Sequence, residues 1–75
     1  MSKQIVDALN AKYMASKLEA IANLQNYLSN PAGIGEHPDI VSECDKLLQQ
    51  ISDADGYLIT LKSMTEVPEE LNSDQ

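Results

Sequence analysis

The sequence predicts an all-α fold, an antiparallel two-helix hairpin that self-associates into a helical bundle. Three observations predict it. Apolar residues recur at helical spacing along two long arms. Glycine and proline cluster between those arms, in Asn30-Pro31-Ala32-Gly33-Ile34-Gly35-Glu36-His37-Pro38, and recur only at Gly56 and Pro68. At 75 residues the chain is also too short for a second domain or a thick core of its own. These marks divide it into a hairpin over 1–67, with helices at about 3–29 and 38–65 and a loop at 30–37, and an acidic tail over 68–75.

In the first arm, Val6, Leu9, Tyr13, Ala20, Ile21, Leu24, Tyr27 and Leu28 fall within one arc of a helix, with Met14 at its border. Pro31 ends this helix, because the residue before a proline avoids the α region. The second arm opens with Pro38, suited to a first helical position, and Asp39 in the first turn, where a carboxylate meets the positive helix end. Ile40, Cys44, Leu47, Leu48, Ile51, Ala54, Leu58 and Leu61 then form its stripe. Pro68 and the polar residues after it favour a frayed tail over a third helix.

The short loop favours antiparallel packing, which sets Tyr13 across from Ala54 and Lys17 across from Gln50. Two helices bury a narrow seam, whereas the first arm's arc is wide and Leu18, Tyr57 and Ile59 point outside it. The expected remedy is a homo-oligomer, either a dimer forming a four-helix bundle or a larger helical ring. The plainer alternative is a marginally stable monomer with a few exposed apolar side chains.

Composition excludes several functions. Five lysines and no arginine face twelve carboxylates, for a net charge of −7. Residues 1–37 are neutral, so the excess lies entirely in the second half. Such a surface suits neither DNA nor RNA, whose phosphates are bound by lysine and arginine. No apolar run is long enough to span a membrane, and MSKQIVDALN does not read as a secretory signal. One cysteine and one histidine are too few for an ordinary zinc site or an internal disulfide. The expectation is a cytoplasmic, non-enzymatic protein without metal or cofactor.

Candidate binding residues fall in two groups. In the loop, Gly33 and Gly35 can take positive φ, so that backbone N–H groups converge on an anion, with Ile34 between them and Glu36 and His37 supplying a carboxylate and an imidazole. The simpler reading has Pro31 and Gly33 stopping one helix, Ile34 plugging the hairpin end and His37 capping the next helix. His37 and Glu36 alone lack the orienting partner that acid–base catalysis needs. On the helices, Lys17 projects into an apolar arc. It either snorkels outward, leaving Asp55 to meet Tyr13 or Lys12 across the hairpin, or sits with Lys12 at an oligomer seam facing an anionic ligand. Tyr57 is either simply exposed or an aromatic anchor at a partner surface. Cys44, flanked by Glu43 and Asp45, reads as a small core residue rather than a nucleophile.

Two segments, NLQNYLSNPAGIGEHPDIVSECDKLL (Asn23 to Leu48) and ISDADGYLITL (Ile51 to Leu61), resemble short helical accessory proteins of large tailed bacteriophages, most closely in the NPAGIGEHPDI loop. The resemblance covers about half of the chain and carries no catalytic motif. It implies a phage accessory protein in the cytoplasm of the bacterial host, acting by binding. Two functions follow as expectations. The first is a protein-interaction module that blocks or scaffolds a host or phage factor, including one of antiviral defence. The alternative is an oligomeric sponge for an anionic nucleotide signal, held by the glycine loop of one subunit and Lys12, Tyr13 or Lys17 of another.

Overall fold

The computed structural model describes residues 2–29 and 39–73, the last seven of these as backbone only. The chain forms two helices and nothing else among the described residues: α1 (Lys3–Ser29) and α2 (Ile40–Ser73). They pack side by side in a body of 58 × 25 × 16 Å. The helical hairpin expected from the two apolar arms is the fold.

Each helix starts with a side-chain cap. The Ile5 N–H points at Ser2 Oγ at 3.5 Å, and the Val6 N–H donates to the Ser2 carbonyl at 3.0 Å. At α2 the Ser42 N–H donates to Asp39 Oδ1 at 2.9 Å, and the Glu43 N–H to the Asp39 carbonyl at 3.2 Å. Asp39 is therefore the residue that caps α2, not a member of its first turn; the helix begins at Ile40, and Pro38 lies outside the described residues. A carboxylate that accepts an N–H of the first turn must sit just outside the helix to reach it.

The far end of α2 also differs from the expectation. The helix runs on to Ser73, through Pro68, where a frayed tail was expected. Proline has no N–H to give the Met64 carbonyl, which disfavours an interior position by roughly 3 kcal/mol. Glu66, Glu69, Glu70 and Leu71 are good helix formers and oppose that break.

Three cross-helix contacts fix the register. The Gln50 amide donates to the Ser16 carbonyl at 3.0 Å and to its hydroxyl at 3.2 Å. Tyr13 stacks on Tyr57 with ring centroids 4.9 Å apart. Lys17 Nζ lies 2.6 Å from Asp55 Oδ1. The helices are antiparallel, and residues at one height have numbers that add to between 66 and 72.

The seam is thin. Ala20 and Ala54 are fully buried and Leu61 nearly so, while Val6, Leu9, Ile21, Leu24, Leu47, Ile51 and Leu58 are half-buried. Alanines in the contact let two helices approach closely, since interaxial distance follows side-chain size. Leu28 and Leu48, expected within the stripes, are 68% and 57% exposed. The seam at their heights is already occupied by half-buried Leu24, Tyr27 and Leu47, which leaves these two turned past its edge. Cys44 is half-buried and free, on the seam side of α2.

Two substitutions test this packing. Ala20→Leu overfills the closest part of the seam and lowers stability by about 1–3 kcal/mol in chemical denaturation. Gly56 lies within α2 with nothing within 4 Å of where a Cβ would stand. Gly56→Ala therefore raises stability by about 1 kcal/mol, seen as a higher Tm; a lower Tm would mean that something approaches the helix there.

Candidate functional site

The site grows out of two tyrosines one helix apart. Tyr13 lies on the seam side of α1, and Tyr57 stands one turn beyond the buried Ala54 on α2. The small alanine leaves room for the Tyr13 ring to lean against Tyr57, at 45° between planes. Their offset, tilted arrangement suits the quadrupoles of two aromatic rings. Tyr57 remains 52% exposed, so the pair is both packed and accessible.

The rings end a groove of about 370 Å³ between the helices. Its wall carries the Gln50–Ser16 hydrogen bonds, and Lys12, Lys46 and Asp53 line it as well. The groove does not stop there. It shares Tyr13 and Tyr57 with an apolar depression of about 460 Å³ that reaches Leu9 and Met64. It shares Lys46 with a polar depression of about 510 Å³ bordered by Asn23, Tyr27 and Glu43. The three follow one side of the hairpin. Along that side of α2 runs a ridge at four-residue steps, Asp45, Gln49, Asp53 and Tyr57, in which the Gln49 amide donates to Asp45 Oδ2 at 2.9 Å. Glu43 lies 3.7 Å from Lys46 Nζ.

The other side of the hairpin has a different character. Met14, Leu18 and Leu28 of α1 and Val41, Leu48 and Ile59 of α2 lie there, all exposed. Each is turned away from its helix's seam in the same rotational sense, and in an antiparallel pair equal rotations bring both helices' residues to one side. The Lys17–Asp55 pair lies among them, with the side chains 30% and 45% exposed. Near the start of α1, Lys3 donates to Asp7 at 2.8 Å. That hydrogen bond, aided by the charge of Asp7, raises the pKa of the fully exposed Lys3 ammonium above its ordinary value.

The sequence-based candidates are thus split. Lys12, Tyr13 and Tyr57 converge in the groove. Lys17 does not join them: it turns to the apolar side, where it takes Asp55 as partner. Asp55 consequently meets neither Tyr13 nor Lys12. Gly33, Ile34, Gly35, Glu36 and His37 lie outside the described residues. Ser16, Lys46 and Gln50 were not among the candidates. The antiparallel register would have found Gln50, since it is level with Ser16 and Lys17, and the four-residue ladder from Asp45 would have linked Tyr57 to the acidic ridge.

Among the described residues no group of histidine, cysteine and carboxylate side chains is arranged to hold a metal, and no helix is long and apolar enough to cross a membrane. No protein-family model, curated protein or solved structure matches the chain.

Replacing Tyr57 by leucine keeps the apolar bulk but removes the ring pair. Tyr57→Leu should lower stability by about 0.5–1.5 kcal/mol and reduce the near-ultraviolet circular dichroism of the tyrosines. An unchanged spectrum would show that the rings are not held together.

Proposed function

We propose that the chain is a non-catalytic protein-interaction module that docks a basic segment of another protein in the Tyr13–Tyr57 groove. The observation that supports this reading is the groove itself: long, open, aromatic at its centre, lined by Asp53 together with Lys12 and Lys46, and flanked by the α2 ridge that carries Asp45. A helix laid between two helices buries an apolar stripe and places flanking charges against the rim. Half-exposed tyrosines supply the anchor, since large rigid rings gain much area at small entropic cost. Asp45 and Asp53 attract a cationic partner and reject an acidic one. In this reading the partner is a host or phage factor that the module blocks or scaffolds, in line with the phage resemblance of the loop.

A second reading has one observation in its favour. Lys12 and Lys46 line the same groove as two tyrosine rings, a combination that also suits an anionic nucleotide stacked on an aromatic face. The nearby carboxylates and the net charge of −7 weigh against it.

Affinity capture from bacterial lysate separates the two. The module reading expects one basic protein to be retained. That protein is lost when Glu43, Asp45 and Asp53 are made neutral, and binds about thirtyfold more weakly to Tyr57→Ala, a change of about 2 kcal/mol. Capture unaffected by those changes sinks the reading. Calorimetric heat with cyclic dinucleotides or ADP-ribose derivatives, lost in Lys12→Ala, would favour the nucleotide instead.

A further inference from the structure

The side of the hairpin opposite the groove gathers Met14, Leu18, Leu28, Val41, Leu48 and Ile59, all between 37% and 81% exposed. Single exposed apolar residues are ordinary on a monomer, but a cluster of six on one side of two helices is the kind of patch that marks an interface.

The pattern on this side is that of a second helical seam. Met14, Leu18, Ile21 and Leu28 follow steps of four, three and seven residues on α1; Val41, Leu48 and Asp55 follow steps of seven on α2. A heptad step keeps a stripe facing another helix along its length, so the occupant is itself helical and extended. Charge narrows the choice further. Lys3, Lys17 and Lys62 are balanced here by Asp7, Asp55 and Glu66, so this side is neutral although the chain is strongly acidic. A basic partner would be drawn to the groove side. A second acidic copy meets no repulsion on this one.

We infer that this face is the interface of a homodimer, with two hairpins related by a two-fold axis parallel to the helices and α1 of each lying over α2 of the other. Rotation about such an axis preserves height along the bundle. The register already fixed within one hairpin therefore also fixes which residues meet between hairpins. Met14 then meets Ile59 of the second copy, Ile21 meets Leu48, and Leu28 meets Val41. The Ile21–Leu48 and Leu28–Val41 pairs fall level without adjustment, and Met14–Ile59 lies within one residue of level. The same operation sets Lys17 against Asp55 of the other copy, so the two ion pairs close into a ring of alternating charge at mid-interface. A two-fold perpendicular to the helices would instead stack α1 on α1 and place lysine near lysine. A polar group inside an apolar seam disfavours slipped alignments, because slippage leaves it unpaired. The Lys17–Asp55 pair is the register pin of this dimer. The groove lies on the opposite side and stays open, so the inference does not depend on what the groove binds.

Cross-linking tests it. In a Cys44→Ser background, Ile21→Cys and Leu48→Cys are made as separate proteins, unfolded, mixed, refolded together and oxidised. The expected result is a disulfide-linked dimer in the mixture, reversed by reductant, and little in either variant alone, since a disulfide needs Cα atoms within about 7 Å. Sedimentation of the unaltered chain, independent of any substitution, should give twice the 8.2 kDa chain mass. A folded chain that sediments as a monomer at every concentration overturns the proposal. So does self-linking of either variant at the level of the mixture, or a dimer whose mixed variants never link.

Discussion

Everything in this molecule follows from how little the two helices hide from water. The side chains fully buried between them are alanines, with Leu61 nearly so. Alanine in a helix contact brings backbones close and keeps the pair narrow, but it contributes little apolar area. Two long helices held along so thin a line leave large side chains on both flanks. Those flanks differ, and the differences define what the molecule can do.

On one flank the narrow seam opens into a groove, because Ala54 and Ser16 are too small to fill the space between the helices. Two tyrosines lean into that space and stay accessible, and α2 adds Asp53 and Lys46 to its lining. On the other flank the side chains are aliphatic, neutral in sum and spaced by heptads around one ion pair. In the dimer inferred above, the apolar back is covered and the aromatic groove stays open, one on each outer side of the bundle.

Helical spacing in the two arms and the Gly/Pro cluster made the hairpin legible and its register legible to within about a turn: Tyr13 was set across from Ala54 and meets Tyr57, and Lys17 was set across from Gln50 and meets Asp55. Side-chain choices at the seam's edge were not. Leu28 and Leu48 fit the stripes on a helical wheel, but a wheel does not say how wide a contact two real helices make, and that width depends on the alanines. Lys17 was read with Lys12 because both are lysines near one arc. A rotation of about 140° separates them, and the partner that claims Lys17, Asp55, is on the other chain segment. Asp39 was placed in the first turn of α2 and not at its cap because a carboxylate serves equally well in either position. The end of α2 was misjudged because a proline was allowed to outweigh the helix formers around it.

The central claim is that one hairpin cannot cover its own apolar surface, so that folding and association are coupled. The most direct measurement is the melting temperature across a hundredfold range of protein concentration. If the native state is an assembly, dilution shifts the equilibrium toward unfolded chains by mass action, and Tm falls steadily with concentration. A Tm that is the same at both ends of the range would contradict the claim, because it would show the thin alanine seam sufficient to hold the fold alone.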